Sequence, residues 1–550
     1  MQKTFAGPAE GEPVERFARR DWWAALLVFG AALAMRLPFR SQFTFHWDSA
    51  LFALAVGKYN VSLGQPHVPG FFLYVMLGRI VNLFVGEPHA SLVWMSVVAG
   101  AVLAGVGYLL GTAFFGRDCG WVTGCLLASS PLCWFQSEVA LTTIVDSALV
   151  TAAVLVCWRA VRRGGAWGWV LAMAVMLSLV AGVRQQTAVV LCPLWLYCFW
   201  RFPSRRWAKL LAGVLLVGIL CLTWFVPMVR LSGGLGAYLQ LYPARVRLNA
   251  ADSIWKINLG RVLAENSAFV AVDCWTGLSL AALLAAAEFV SWLRSGRSRW
   301  RVVTERAEQL RFIAIWLVPM YLFGVLMVVP VPGHILNYFP SLVILVAFGL
   351  SRLVRRIVAR LEKQQWPGLL KAHRLAAISV ISCVTLANMA VFLLPPRQTA
   401  WLRAGMPLTA SDIREHDRQL DCWIQTIRAN YRPEDVMICH YRQYFSWGFR
   451  LFQYHMPDYE NCLLTPDRAI APALTNKLWY ANNRRLEFED GLDLHGRKQL
   501  ILIVPPGQTI DLFTNVFDVS QAQRQDIPGC LPLYTLAPAP DWLASHGIKP

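Results

Sequence analysis

PGFFLYVMLGRIVNLFVG, residues 69–86, is apolar enough to cross a membrane and amphipathic enough to lie along one. If it crosses, every later loop changes sides. The basic residues arbitrate, because short cytoplasmic loops collect Lys and Arg. Arg16, Arg19 and Arg20 precede the first apolar run. Later clusters are Arg159/Arg162/Arg163, Arg201/Arg205/Arg206/Lys209, Arg294/Arg297/Arg299/Arg301 and Arg352/Arg355/Arg356/Arg360. With 69–86 lying along the surface, all of them share the N-terminal side. With it spanning, every later cluster is thrown to the other side. The expectation is therefore a cytoplasmic N-terminus, with 41–89, 137–146, 230–272, Gly333–Asn337 and everything past 395 outside.

Outward from that stretch, apolar runs of membrane-crossing length recur along most of the first 395 residues. LAGVLLVGILCLTWFVPM (211–228) can cross about 30 Å of hydrocarbon as helix. Predicted spans, about eleven, lie near 22–40, 90–115, 119–136, 147–161, 167–183, 186–201, 208–229, 273–293, 312–330, 335–351 and 375–394. The first lacks a small-residue cleavage site and reads as retained. The composition agrees: 56% hydrophobic, 15% charged, mean hydropathy +0.44. A net charge of +18 fits basic loops at a membrane rather than a nucleic-acid surface, since those residues sit between apolar runs.

Past Pro395-Pro396 the pattern changes. DVMICHY (435–441), KQLILIVP (498–505) and LPLYTLA (531–537) have strand length, and SDIREHDRQLDCWIQTIRAN (411–430) has helical periodicity. The expected architecture is an all-α membrane module over 1–394 and a C-terminal soluble α/β domain over 395–550. The thirteen cysteines show no CxxC pair and no Cys/His metal spacing; Cys422, Cys439, Cys462 and Cys530 are available for pairing in an oxidising compartment.

The residues with chemistry concentrate in the expected outer loops. FTFHWDSALFALAVGKYNVSLGQPHVPG (43–70) brings His46, Trp47, Asp48 and His67. A carboxylate beside a bilayer is easily raised towards a working base, and it equally serves as N-cap of a helix beginning near Ser49. SPLCWFQSEVALTTIVDSALV (130–150) adds Glu138 and Asp146, the latter in line to cap the following span. Two outer loops that each supply carboxylates at one membrane face suggest a shared acidic site. Arg184 is the only basic residue from Ala166 to Trp200 and lies outside against the charge trend, so it wants an anion: a lipid phosphate, Glu138 or Asp146. His334 and Tyr338 sit in a Pro/Gly break, VVPVPGHILNYFPSLVIL (328–345), of the kind that lines cavities. Arg245 and Arg247 attract phosphate or lie at headgroups.

These segments resemble the GT-C superfamily of integral-membrane glycosyltransferases, specifically bacterial relatives of the protein O-mannosyltransferases and aminoarabinose transferases (glycosyltransferase family 39-like). The resemblance rests on HWDSALFALAVGKY with HVPGFFLYVMLGR, SPLCWFQSEVALTTIVDSAL, AGVRQQTA, PGHILNYFPSL, and, in the tail, WGFRLFQYHMPDYE (447–460). It implies an inverting transfer from a polyprenyl-phosphate-linked sugar to a glycan, lipid or protein acceptor outside a bacterial inner membrane, with a periplasmic tail. Asp48 matches the family's first-loop catalytic base, Asp146 a second acidic position, and Arg184 a donor-phosphate clamp, with His334, Tyr338 and Arg245 beside it. His46, Trp47 and His67 would line the acceptor loop. The mannosyltransferases usually carry Asp-Glu where this chain has Asp48-Ser49, which departs from a protein acceptor. Metal dependence varies in the superfamily, so a divalent ion stays open. A lipid-linked sugar flippase and a non-catalytic envelope-assembly scaffold are the competing readings.

Overall fold

The computed structural model describes residues 16–241, 259–294, 304–327, 333–363, 369–395, 408–441, 446–465, 479–482, 489–490, 494, 496–514 and 517–537. Arg245 and Arg247 lie outside the described residues. In the membrane module the helices are α1 (Arg19–Arg36), α2 (Trp47–Gly57), α3 (Phe72–Val85), α4 (Pro88–Phe115), α5 (Arg117–Ser129), α6 (Pro131–Glu138) and α7 (Thr142–Arg162). There follow α8 (Trp167–Val183), α9 (Gln185–Arg201), α10 (Arg206–Leu231), α11 (Leu235–Gln240), α12 (Leu259–Leu278), α13 (Leu280–Leu293), α14 (Ala307–Met327), α15 (Phe339–Lys363) and α16 (Leu369–Leu393). Among the described residues, five helices are long and apolar enough to cross a membrane, six if α12 and α13 count as one broken span.

Helices lie over the predicted runs where these are described, with three corrections, the first being that 335–351 opens in a 3-10 turn and is α-helix only from Phe339. The run 119–136 is two helices, because Pro131 supplies no N–H and forces Ser130 out of helical geometry to ψ 122°. The run 273–293 lies across the break between α12 and α13, which bend by 105° at Ser279, whose φ is +47°. The deciding stretch, α3, has 14 residues, about 21 Å of helix, too short for the hydrocarbon core. Its Tyr74, Val75 and Gly78 are buried while Leu77, Ile80 and Phe84 on the opposite side are exposed. That is the pattern of a helix lying along an apolar boundary.

Helix α4 is the hub, 78% buried over its most apolar window, against 11% for α10. Small residues permit that packing. A Cβ at Gly107 would stand 2.3 Å from Leu127 of α5, and one at Gly120 would stand 2.0 Å from Thr112 of α4. The backbones of α4 and α5 close on each other because neither position carries a side chain.

Among the described residues the tail folds around a seven-stranded sheet in the order β4-β3-β2-β1-β5-β7-β6. The strands are β1 (Val436–Tyr441), β2 (Glu460–Thr465), β3 (Trp479–Asn482), β4 (Glu489–Asp490), β5 (Gln499–Ile503), β6 (Gln523–Gln525) and β7 (Leu533–Leu536). β1 is parallel to both β2 and β5, whereas β7 is antiparallel to β5. Alternate residues face opposite sides: Val436, Ile438, Ile501 and Ile503 meet helix α17 (Ala410–Asn430) through Leu420, Trp423 and Ile427, while Met437, Cys439, Leu500 and Leu502 meet Phe513. Thr409 and Asp412 close a reciprocal capping box on α17. The expected strands are β1, β5 and β7; β2, which starts at the last residue of the tail motif, and β3, β4 and β6 are additions. Of the four tail cysteines, Cys422 and Cys530 form a disulfide, and Cys439 and Cys462 are reduced neighbours.

The tail docks on the first loop. Asp417 of α17 accepts the Gln42 and Phe43 N–H groups at 2.8 and 3.1 Å, and His455 Nε2 accepts the Thr44 N–H at 3.2 Å. Helix α18 (Phe449–His455) puts Phe449 against Trp47 and Leu51 of α2, with Leu463 of β2 alongside.

Candidate active site

Helix α2 starts at Trp47, and its N-cap is His46, whose Nδ1 accepts the Asp48 N–H at 3.1 Å. Asp48 therefore sits inside the first turn and is not the cap. Its carboxylate is 34% exposed, with Oδ1 3.4 Å from His67 Nδ1 and Oδ2 3.9 Å from His46 Nδ1. Since His46 Nδ1 accepts a backbone N–H, that ring is neutral at this nitrogen. Burial holds it below its usual value, with the Asp48 charge pulling the other way. The result is an ionisable oxygen pair between two imidazoles at a helix N-terminus, where a carboxylate is favoured.

The far end of α2 is held just as firmly. Arg79 of α3 donates from Nε to Val56 O at 3.0 Å and from Nη2 to Ala55 O at 3.2 Å. A guanidinium on the last carbonyls satisfies orphan acceptors and the helix dipole together. Between α2 and α3 the turn 65–71 is pinned by Tyr59, whose hydroxyl donates to Gly70 O at 2.8 Å, and by Tyr238, whose hydroxyl donates to Pro69 O at 2.9 Å. Gly70 has φ +109°, and a Cβ there would meet Met228 Sδ and Tyr59 Oη at 2.8 Å, so the close approach requires glycine.

The same turn reaches the predicted clamp. Gln185 Nε2 donates to Pro69 O at 3.2 Å, so the α8–α9 junction that carries Arg184 abuts the loop holding His67 and Asp48. Arg184 is half-buried and within electrostatic reach of Asp146. Asp146 is not a cap either: α7 begins at Thr142, one turn earlier, and the buried carboxylate accepts the Thr187 hydroxyl at 2.8 Å. Glu138 is buried near the equally buried Arg36. The three carboxylates have three different sets of partners, a partly exposed one between imidazoles and two embedded in helix packing.

The Pro/Gly break forms a 3-10 turn, His334–Asn337, pressed on α7: Ser147 Oγ donates to Leu336 O at 2.6 Å. Gly333 at φ +95° lies so close to Gln136 that a Cβ would stand 2.7 Å from its amide. Tyr338 is buried beside Tyr321, ring centroids 6.4 Å apart. Sequence reading passed over Asp273 of α12, whose carboxylate accepts the Gly333 N–H, and over Gln185, Tyr238 and Arg79. A carboxylate within an apolar helix is the signal that pointed to Asp273; nothing local marked the others. Among the described residues no three His, Cys, Asp or Glu side chains converge as a metal site would require.

The family model described as Dolichyl-phosphate-mannose-protein mannosyltransferase matches residues 65–230, which contain His67, Glu138, Asp146 and Arg184 and begin after Asp48. No curated protein matches the chain. Two solved structures have a similar outline. Cupriavidus metallidurans ArnT bound to undecaprenyl phosphate is 13% identical, TM-score 0.46, over 83% of this chain and 94% of that one. The Archaeoglobus fulgidus oligosaccharyltransferase is 12% identical, TM-score 0.45, over 80% of this chain and 64% of that one. The family match at 65–230 joins the first-loop turn to Asp146 and Arg184, and over these residues the chain is similar to that mannosyltransferase family.

Proposed function

We propose that the protein transfers a sugar from a polyprenyl-phosphate donor, with inversion, to a hydroxyl of a glycan, lipid or protein acceptor, and that Asp48 is the general base. The observation that carries this reading is the partly exposed carboxylate between His46 and His67, in a loop whose Pro69 carbonyl accepts a hydrogen bond from Gln185, the neighbour of Arg184. In the step, the acceptor hydroxyl gives its proton to Asp48 as its oxygen bonds to the anomeric carbon. The bond from that carbon to the phosphate oxygen breaks on the opposite face, and the polyprenyl phosphate leaves with its electron pair. Arg184 would meet the charge on the departing phosphate, the largest electrostatic contribution expected here. An aligned base supplies about 10²–10⁴-fold. A divalent metal is no part of this scheme. The membrane face concerned is read as the outer one, from the basic loops.

Asp48→Asn tests the base. Because His46 is the cap, the variant keeps it and gives up only a helix-dipole interaction of about 0.3–1 kcal/mol. Purified variant in detergent, supplied with a polyprenyl-phosphate sugar, should fold and bind donor yet turn over at least about 10²-fold more slowly. Near-normal turnover in a folded variant would remove Asp48 from the mechanism. The transporter alternative draws on the 105° break between α12 and α13, and such folds pair broken helices in two halves. Donor movement without glycosyl transfer in the same wild-type preparation would favour it.

A further inference from the structure

A cleft of about 380 Å³ opens where the C-terminal end of α1 meets the first turns of α4. Pro38, Arg40, Ser41, His89, Val93 and Trp94 are among its walls. It belongs neither to the Asp48 pair nor to the Arg184–Asp146 neighbourhood. Both flanking helices are membrane-span candidates and both end here, so the cleft stands at headgroup level rather than in hydrocarbon. Arg40 lies flat on Trp94, its Cζ 4.2 Å from the ring centroid, and its only hydrogen bond among the described residues is from Nε to Leu37 O. The two Nη groups are left for a ligand. His89 is 1% exposed; Nε2 is 3.4 Å from Ser41 Oγ, and Nδ1 has no partner among the described residues. A buried imidazole nitrogen without a partner is a deficit that a ligand acceptor would remove.

Nearby acids do not fill the cleft. The Glu87 carboxylate accepts from the N–H groups of His89 and Ala90 and from the Tyr454 hydroxyl, and Asp417 from Gln42 and Phe43. Glu138 senses the Arg40 charge from within the bundle. The helix N-terminus of α4 is therefore already occupied by Glu87, and an anion would be held by side chains. A guanidinium on an aromatic plane, an imidazole donor and a serine hydroxyl suit phosphate oxygens. Apolar walls from Pro38, Val93 and Trp94, at the depth where tryptophans line membranes, suit the chain-bearing end of a lipid.

We propose that this cleft binds the phosphate headgroup of a net-anionic membrane phospholipid from the leaflet on the Asp48 side, the Arg40 guanidinium favouring it over a zwitterionic one. The site would seat a structural or acceptor-side lipid next to the loop 40–48 on which the tail docks. Full-length protein exchanged into mixed micelles of phosphatidylglycerol and phosphatidylcholine, read by native mass spectrometry, tests it. Wild type should retain phosphatidylglycerol preferentially, Arg40→Ala should lose about tenfold of that preference, and Arg40→Lys should keep part of it. Inorganic phosphate alone should compete only weakly, because it lacks the acyl end. Equal retention of both lipids by wild type, or undiminished preference in Arg40→Ala, would overturn the proposal. Competition by inorganic phosphate as strong as by phosphatidylglycerol would also overturn it, in favour of a soluble phosphate ligand. The wild-type comparison stands even where the Arg40 variants fail to fold, and it does not depend on Asp48 being a base.

Discussion

Acidification should loosen the tail of the full-length protein. Burial pushes His440 on β1 down to about 3, His416 on α17 down to about 4 and His455 on α18 down to about 3. For His416 the imidazoles of His89 and His46 add to burial; for His455 the neighbours are His89, His416 and Arg428. An imidazole lowered in the fold is one that the unfolded chain protonates more readily. Its contribution is intact above about pH 6.5 and is lost as pH falls towards the folded value. Asp417 has the opposite sign: burial raises it to about 7, against two backbone N–H bonds. Its ionised form is unfavourable above that value and the penalty is relieved as pH falls. Between about pH 6 and 5 the three imidazoles gain protons on unfolding and one carboxyl releases one, a net uptake just under two. That is about 2 kcal/mol of tail stability lost per pH unit. Hydrogen exchange of the Ile438 and Ile501 amides in detergent-solubilised full-length protein, corrected for intrinsic rate, reads this opening free energy directly. His455→Gln keeps an acceptor for the Thr44 N–H without titrating, so its slope should be about half that of wild type. A flat or rising opening free energy as pH falls, or an unchanged slope in His455→Gln, would refute the reasoning.

Arg184→Ala should weaken polyprenyl-phosphate binding by about tenfold or more, with Lys restoring only part because it lacks the planar fork; unchanged affinity would mean that Arg184 serves Asp146 alone. Cysteines introduced after residue 86 and after residue 400 should both be labelled by an impermeant reagent from outside the cell; protection of both would mean that α3 crosses and carries every later loop to the other side. Gly333→Ala should lower thermal stability by about 1–3 kcal/mol, through the strained φ and the clash with Gln136; an unchanged melting temperature would show that the 3-10 turn moves freely away from Gln136.

Much of the candidate site is legible in the chain itself. Asp48, His67, Asp146 and Arg184 stand out because charged residues at the ends of apolar runs are unusual and expensive. What those charges do locally is not legible there. Capping looks equally good for Asp48 and Asp146, since the cap position depends on where a helix starts, and that shifts by a residue or two with tertiary contacts. His46 takes the cap of α2, and α7 begins a turn before Asp146. The expected shared acidic site dissolves for the same reason: Glu138 faces Arg36, not Asp48.

The sequence by itself determined the membrane class, the helical runs and the α/β character of the tail. Each follows from local quantities: apolar length against bilayer thickness, charge in short loops, and periods of 3.6 and 2. Tertiary structure alone decided the break at Ser279, the order of the sheet, the pairing of Cys422 with Cys530, and the seating of the tail on residues 42–48. It alone brought Gln185 and Tyr238, 116 and 169 residues further along, onto the carbonyl of Pro69. Contacts at such separations leave no periodicity in the chain. They exist because packed helices must satisfy every buried carbonyl from whatever donor the fold delivers.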